Sequence, residues 1–366
     1  MRRALLPMAL GLFAIPACFL SGFEKVEGTG AAGGASGGAP PVCETVTFVA
    51  TTDGETSTSD PRDFFNALRV VDFGEVSLAT RPGFDLDGVC TCCIDCEQTP
   101  TCNPPPGAQG EECDSVEGVP NSGRDNNVAR FLAGPDSAPL GLSSTALRSA
   151  IDAGTWSLLL RVSDWNGLPD DGQVTLAVHT TGGVVGTPKW DGSDLFQVRA
   201  DSVSAATPEI DEPIVVNEDA YVANGMLVAV FGTQRQLVLH LARDFTVELS
   251  YAVLQAELRE EGTGYVLTDG VIGGIWDMRA VFKALAGARV NEMPLICTDS
   301  PSYDSVKQAL CVMRDSLDDP EPITCGGISF GMGFTGARIV KPSIVEPLTT
   351  STPCPSGTDP TNDICE

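Results

Sequence analysis

The chain has 366 residues, of which 49 are acidic and 22 basic, so its net charge is −27 and its isoelectric point is about 4.2. This charge repels a phosphate backbone at every approach, which excludes nucleic acid as a partner. Hydrophobic residues make up 42% of the chain. That is enough for one large domain or two moderate ones in the roughly 320 residues from 43 onwards.

The first residues have the pattern of an export signal. Met1-Arg2-Arg3 precedes an apolar run from Ala4 to Ala17, as in the charged and hydrophobic regions of a signal peptide. As a helix the run is roughly 21 Å long, too short for the ~30 Å core of a membrane. It ends in Ile15-Pro16-Ala17-Cys18, so residues 1–18 are predicted to be a signal peptide with a lipobox and Cys18 to be lipidated. The alternative is an ordinary signal-peptidase site that leaves Cys18 as a spare thiol.

Residues 19–42 are predicted to be a flexible tether. From 28 to 41 the chain consists almost entirely of Gly, Ala, Ser and Pro, a composition with little to bury. A tether after a lipidated cysteine suits a protein held to a membrane by its lipid anchor. Phe19, where inner-membrane lipoproteins carry Asp, favours the outer membrane of the cell envelope. The predicted location is therefore extracytoplasmic, with the membrane as the first partner.

The number of cysteines supports export. There are 13, an odd number that becomes twelve once Cys18 is lipidated, and in an oxidising compartment these twelve are expected to form disulfides. The twelve are Cys43, Cys90, Cys92, Cys93, Cys96, Cys102, Cys113, Cys297, Cys311, Cys325, Cys354 and Cys365. A zinc site is the alternative for the cluster at 90–113, because Cys93 and Cys96 have ligand spacing, but no histidine lies nearby.

The grouping of the cysteines along the chain suggests how they pair. If the cluster at 90–113 pairs internally, and Cys354 pairs with Cys365, the tail at 350–366 is closed on itself. One of the three cysteines at 297, 311 and 325 is then left to pair with Cys43.

Residues 43–349 are predicted to form a mainly β domain. Short runs rich in Val, Leu and Thr recur between Gly, Pro, Asp and Asn, which is typical of an antiparallel β-sandwich or jelly roll with a few peripheral helices and disulfide-rich loops. The predicted strands are Thr45 to Thr51, Thr155 to Val162, Gln173 to His179, Met226 to Val230, Leu237 to Leu241, Phe245 to Leu254 and Gly264 to Leu267. The acidic, Pro-containing segment 208–215 is either a boundary between two halves or a long loop within one sandwich.

Three helices are predicted at the periphery. Ser144 can cap a helix from Thr145 to Ala153. Asp277 to Leu285 and Tyr303 to Leu317 have the spacing of apolar residues that amphipathic helices show.

One constellation of oxygen ligands indicates a metal site. Asp85 and Asp87 stand two apart and are followed by Gly88, and Asp125 and Asn126 come after the cysteine cluster. Carboxylate and amide oxygens with a tight turn are what Ca²⁺ requires, although the EF-hand pattern is absent. Asx turns and helix caps are the alternative for these four side chains.

A second acidic turn indicates ligand binding. It contains Asp164, Trp165, Asn166, Asp170 and Asp171, and a Trp beside Asp and Asn is the composition with which proteins stack and hydrogen-bond a sugar. The alternative is a hairpin loop whose Trp covers one end of the β domain.

Catalytic motifs are absent. The sequence has only two histidines, and no Gly-x-Ser-x-Gly, His-Glu-x-x-His or phosphate-binding Gly loop. Carboxylates suited to glycoside hydrolysis are not singled out among the 49 acidic residues. The chain is therefore predicted not to be an enzyme, with no catalytic residue.

The lipobox, the tether, the segment Phe84 to Cys92 and the segment Gly123 to Asn127 are similar to those of uncharacterised cysteine-rich lipoproteins of predatory and soil-dwelling bacteria. The resemblance covers mainly residues 1–180 and implies a surface location without an activity. The predicted function is a non-catalytic, lipid-anchored surface protein, stabilised by calcium, that serves adhesion or ligand binding, with carbohydrate or another surface protein as partner. The alternative is a carbohydrate-active enzyme or carbohydrate-binding module on a concanavalin-like sandwich.

Overall fold

The computed structural model describes residues 47–51, 60–77, 81–88, 101–103, 105, 124–232, 235–290, 293–316, 324–347 and 352–365. The chain divides into Met1–Ala39, which lies outside these residues, and Pro40–Glu366, to which all of them belong. Cys18 and the tether at 19–42 are therefore outside the described residues. So are six of the predicted disulfide cysteines, namely Cys43, Cys90, Cys92, Cys93, Cys96 and Cys113.

Strands dominate the described residues, as the composition of the domain predicts. They are β1 (Arg62–Asp72), β2 (Leu158–Trp165), β3 (Asp171–Val184), β4 (Phe196–Arg199), β5 (Val215–Ala223), β6 (Met226–Phe231), β7 (Leu237–Leu241), β8 (Phe245–Glu261), β9 (Gly264–Asp277), β10 (Arg289–Val290), β11 (Met293–Pro294), β12 (Gly327–Ile339) and β13 (Ile344–Glu346). The α-helices are α1 (Asn127–Ala133), α2 (Ser144–Asp152), α3 (Met278–Gly287) and α4 (Tyr303–Val312).

Eight of the strands close into an antiparallel barrel. Around the barrel the order is β1, β12, β9, β8, β6, β5, β3 and β2, and β2 pairs again with β1. The remaining strands lie outside this ring, with β4 on β3, β13 parallel to β4, and β7 on β8. The mainly β, antiparallel fold class is confirmed, but the predicted two-sheet sandwich is wrong.

Closure results from a pairing that sequence patterns do not reveal. Strand β3 pairs on one side with β2 and on the other with β5, which lies beyond the segment 208–215. A sandwich would leave unpaired backbone N–H and C=O groups along the edges of these strands, whereas a closed ring pairs each strand on both sides. Bulges at Tyr251 and Asp269, both with left-handed backbone (φ 48° and 47°), shift the register between β8 and β9. Such bulges bend long strands, which a closed barrel requires.

Both faces of several strands are buried. In β2, Leu158 and Leu160 belong to the large cluster inside the barrel, whereas Leu159 between them packs with Phe196 and Ile210 outside it. Strand β4 and the segment before β5 therefore cover this side of the barrel. Because both faces of β2 are buried, its sequence has consecutive leucines instead of alternating polar and apolar residues.

Helices close one end of the barrel, which we call the helix end. Side chains of α1, α2 and α3, such as Phe131, Leu147 and Phe282, are fully buried in the same cluster as the barrel interior. The opposite end carries the turns that join β2 to β3, β5 to β6 and β8 to β9, and we call it the turn end.

The three predicted helices are present at the predicted places, but their ends differ from the predicted ones. Helix α2 is capped by Ser143, whose side chain accepts a hydrogen bond from the Ala146 N–H, so the predicted cap at Ser144 is wrong. Ser144 instead accepts from the Phe73 N–H and donates to Glu75, because it lies inside the first turn against β1. Helix α4 ends at Val312, before the predicted Leu317, which is outside the described residues.

The predicted first strand is not formed where it can be observed. Residues 47–51 of the proposed strand Thr45 to Thr51 have no strand pairing. They cross the outer face of the barrel instead, where the Val49 N–H donates to Gln255 and the Tyr221 hydroxyl donates to the Val49 carbonyl.

Three disulfides are present among the described residues, and their pairing differs from the prediction. Cys102 bonds to Cys325, Cys297 to Cys354 and Cys311 to Cys365. The tail is therefore not closed on itself, since Cys354 and Cys365 join it to the region around α4. Nor is any of the three cysteines at 297, 311 and 325 left for Cys43. Cys102 also pairs outside the cluster at 90–113, so the predicted internal pairing of that cluster is wrong for Cys102. Cysteines that are close in sequence are not partners here, because a disulfide depends on proximity in the folded chain.

These disulfides indicate an oxidising, extracytoplasmic compartment. Among the helices of the described residues, none has the length and apolar character needed to cross a membrane.

Candidate functional site

Three carboxylates from two separate segments converge on the outer wall of the barrel. Asp85, Asp87 and Asp125 each offer an oxygen atom, and these atoms all lie within 4.8 Å of one another. Asp125 and Asp85 are only 1% and 7% exposed. Three like charges this close repel one another, so a bound cation would lower the free energy of the group. The group could hold a metal ion, and its hard oxygen atoms suit a divalent cation such as Ca²⁺.

The segment 81–88 reaches this position because two glycines in the barrel wall admit it. A Cβ atom on Gly331 of β12 would lie 2.2 Å from the Pro82 carbonyl oxygen, and one on Gly273 of β9 would lie 2.7 Å from the Phe84 ring. Phe84 is buried against Val253 and neighbouring outer side chains. Close packing of the segment on the wall thus fixes the backbone that carries Asp85.

Hydrogen bonds orient the three carboxylates. Asp125 accepts from the Leu86 N–H at 2.5 Å, and Asp85 accepts from the Gly88 N–H at 2.6 Å. Asp87 accepts from the Thr101 hydroxyl at 2.9 Å. Thr101 is held in place by the adjacent Cys102–Cys325 disulfide. These hydrogen bonds to backbone N–H groups and to the Thr101 hydroxyl hold the three side chains in place without a ligand.

Asn126, the fourth predicted metal ligand, has a structural role instead. Its side-chain nitrogen donates to the carbonyl oxygens of Phe73, Pro82 and Gly331, at 3.0, 2.7 and 3.1 Å. Its side-chain oxygen accepts from the Ala129 N–H and caps α1. The amide joins three chain segments and a helix. The group that could hold a metal ion therefore consists of the three aspartates.

The turn predicted to bind a ligand is a structural turn at the turn end. Asp171 is fully buried and accepts from the N–H groups of Asn166 and Gln173 at 2.7 and 3.1 Å. Asp170 accepts from the Asn224 N–H in the next turn at 2.9 Å. Asp164 has left-handed backbone, φ 65°, at the register shift between β1 and β2. These contacts agree with the alternative of a hairpin loop.

Trp165 cannot present a ring to a sugar, so that part of the prediction is wrong. Its side chain is 4% exposed, and its ring centroid lies 4.7 Å from that of Tyr265. Its indole N–H donates to the Leu168 carbonyl at 2.9 Å. Packing inside the barrel mouth, where Phe64 is a further neighbour, covers the ring.

A groove of about 570 Å³ lies at the turn end, beside these aromatic side chains. It is bordered by the start of β1, the β8–β9 turn and the end of β12. Its charged and aromatic lining includes Arg62, Asp63, Glu260, Tyr265, Arg338 and Lys341. The volume lies within the range of about 300–1,000 Å³ that is usual for small-molecule sites. Sequence patterns did not single out the groove, because three distant segments contribute to it.

The two histidines lie in strands β3 and β7. His179 in β3 is fully buried, and neither of its ring nitrogens has a hydrogen-bond partner among the residues that the structure describes. Burial lowers its pKa to about 4, with a further decrease from Arg161 that Asp211 opposes. His240 contacts the Thr246 hydroxyl at 3.1 Å, and burial lowers its pKa as well.

The buried His179 predicts acid sensitivity. Because its pKa falls from about 6.5 when unfolded to about 4 when folded, protonation favours the unfolded chain. Stability is unaffected above pH 6.5 and decreases as the pH falls, by about 2 kcal/mol at pH 5 and about 3 kcal/mol at pH 4.

Urea unfolding at pH 7, 5 and 4 measures this effect. We expect His179→Gln to remove this part of the pH dependence and His240→Gln to leave most of it. Equal pH dependence in wild type and His179→Gln would contradict the assignment.

Comparison of the chain with protein-family models, with curated proteins and with solved structures finds no match.

Proposed function

We propose that this chain is a non-catalytic, lipid-anchored protein of the cell envelope, stabilised by calcium, which serves adhesion or ligand binding. The observation that carries the proposal is the convergence of Asp85, Asp87 and Asp125 within 4.8 Å on the barrel wall. Disulfides and an export signal that ends at Cys18 support the extracytoplasmic location. The groove at the turn end supports binding.

The proposed role of calcium is to fasten the segment 81–88 to the chain before α1. Asp85 and Asp87 belong to the first of these segments and Asp125 to the second. A cation between them replaces repulsion with attraction at a place where regular secondary structure is sparse. Calcium thus stabilises the outer covering of the barrel.

Calcium removal is the test of this site. At a concentration one hundred times its Kd, calcium is expected to stabilise the fold by about 2.7 kcal/mol, which raises the Tm by roughly 5 °C. Thermal melting with calcium and with EDTA measures the shift. Asp87→Asn keeps the size of the side chain and is expected to abolish the shift.

The matched control is Asp219→Asn, since the Asp219 side chain is 82% exposed and distant in sequence from the site. This variant should keep the full calcium response. An equal Tm with calcium and EDTA in the wild-type protein would remove calcium from the proposal.

The lipid anchor has its own test. The intact mass of the mature protein, expressed with its own signal, is expected to show an acyl adduct that starts at Cys18. Cys18→Ala should lose the adduct and the membrane association. An unmodified wild-type chain would overturn the anchor.

The groove supports binding more than catalysis. Asp63 and Glu260 are its acidic side chains, and Asp63 accepts two hydrogen bonds from the Arg161 guanidinium, at 3.0 and 2.7 Å. A carboxylate held in this way is not free to transfer a proton to a substrate. The alternative, a carbohydrate-active enzyme, therefore lacks an acid and base pair free of other bonds in this groove.

A further inference from the structure

The lining of the groove at the turn end contains more basic than acidic side chains, although the protein as a whole is strongly acidic. Three basic side chains, Arg62, Arg338 and Lys341, line it with two acidic ones, Asp63 and Glu260. The chain as a whole has fewer than half as many basic as acidic residues, 22 against 49. Charges beyond about 8 Å are screened at physiological salt. A small ligand in the groove therefore experiences mainly these five side chains and their ion-pair partners, Asp60 on Arg62, Arg161 on Asp63 and Asp211 on Lys341.

The guanidinium of Arg338 is held in place by the β8–β9 turn. It donates to the Glu261 carbonyl at 2.8 Å and to the Thr263 hydroxyl at 3.3 Å. A Cβ atom on Gly264 would lie 2.8 Å from the Arg338 Nε atom. The glycine therefore leaves room for the Arg338 side chain. The rest of its five N–H donors have no acceptor among the described residues.

Arg62 leaves more of its donors available. Its one hydrogen bond among the described residues goes to Asp60 at 2.9 Å, and the two side chains are 44% and 80% exposed. An ion pair this exposed contributes little to stability, so a ligand can displace Asp60. Two guanidinium groups with available donors in one groove suit planar acceptors such as carboxylates.

The remaining lining suits a sugar ring. Tyr265 and Phe64 form part of the groove and lie 5.7 Å apart between ring centroids, which offers an apolar surface to the C–H face of a pyranose. Glu260 and Thr263 can accept hydrogen bonds from sugar hydroxyls.

We propose that the groove binds a saccharide that carries carboxylate groups, a uronic-acid oligosaccharide, with Arg62 and Arg338 holding the carboxylates. This inference rests on the proposed binding role and names its ligand class. Tyr265 contacts the ring face, and Glu260 and Thr263 accept from the hydroxyls.

Isothermal titration of the mature chain tests the proposal, with trigalacturonate as the probe. The comparison ligands are its methyl ester, which lacks the charges, and triglutamate, which has charges without sugar rings. Titrations are made in calcium-free buffer, because uronates bind calcium. Trigalacturonate is expected to bind at least tenfold more tightly than either comparison ligand.

Variants locate the site. Arg62→Gln and Arg338→Gln are each expected to weaken trigalacturonate binding at least tenfold. Arg338→Lys keeps the charge but loses the planar fork, and it should also weaken binding. Arg235→Gln, an exposed arginine paired with Asp219 outside the groove, is the control and should stay within twofold of wild type. Circular dichroism shows whether each variant is folded.

The other outcomes overturn the inference in distinguishable ways. Equal binding of the methyl ester would exclude carboxylate recognition and leave a binding role for neutral sugars. Equal binding of triglutamate would indicate an acidic peptide as the ligand. If no probe binds, or if folded Arg62→Gln and Arg338→Gln bind as wild type, the groove is not this site. The calcium response, measured by melting, is independent of all three results.

Discussion

Replacing Asn126 by aspartate is expected to destabilise the fold by about 5 kcal/mol, and replacing it by alanine by about 3 kcal/mol. The Asn126 side chain is 1% exposed and donates to three carbonyl oxygens. Alanine removes the donor that these three carbonyl oxygens share. Aspartate has almost the same shape but cannot donate when ionised. It adds a charge next to Asp125 as well, so the more similar side chain causes the greater loss.

Urea unfolding of both variants at pH 7 measures these losses. Asn217→Asp is the control, because Asn217 is also buried but donates to one carbonyl, that of Val230, at 2.8 Å. Its loss should be smaller, about 1–3 kcal/mol. If Asn126→Asp is as stable as wild type, the amide does not join the segments as described.

Local patterns in the sequence predicted some strands closely, whereas β5 (Val215–Ala223) and β12 (Gly327–Ile339) were not predicted. Strand β7 has the predicted ends, Leu237 and Leu241, and β6 and β9 begin at the predicted residues. Strand β1 was missed, because burial on both faces removes the alternation of polar and apolar residues and Asn66 interrupts the apolar run. Asn66 is fully buried with hydrogen bonds to Leu267 and Tyr265, which a local pattern cannot show.

Barrel closure could not be predicted for a different reason. The alternation within a strand gives its two faces but not its partners. Phe65 of β1 pairs with Ile339 of β12, and Asp171 of β3 with Val222 of β5. These partners are distant in sequence, so the same strands are compatible with a sandwich or a barrel until the pairing is known.

The candidate site was also predicted only in part. The acidic residues and the glycine near Asp85 predicted a cluster of oxygen ligands, and the structure brings Asp85, Asp87 and Asp125 together. The local sequence could not show that the Asn126 side chain donates hydrogen bonds to backbone carbonyls, or that the Trp165 ring packs against Tyr265. Both facts depend on packing with segments far along the chain.

Removing the Cys102–Cys325 disulfide is expected to affect both stability and calcium binding. The bond joins residues 223 positions apart, and loop-closure entropy assigns it about 5 kcal/mol, against about 4 kcal/mol for a loop like that of Cys311–Cys365, with a separation of 54. The Cys325 N–H also donates to the Asn103 carbonyl at 3.0 Å. The segment 101–103 is thus attached next to the start of β12.

The calcium response separates the local effect of this disulfide from general destabilisation. Thr101, adjacent to Cys102, donates to Asp87 in the carboxylate group. The double variant Cys102→Ala and Cys325→Ala should therefore lose about 2–5 kcal/mol in urea unfolding and show a smaller rise in Tm with calcium. The double variant Cys311→Ala and Cys365→Ala removes a disulfide at the C-terminal tail and should keep the full calcium response. An equal decrease of the calcium response in both would mean that the Cys102–Cys325 bond stabilises the fold as a whole without orienting Asp87.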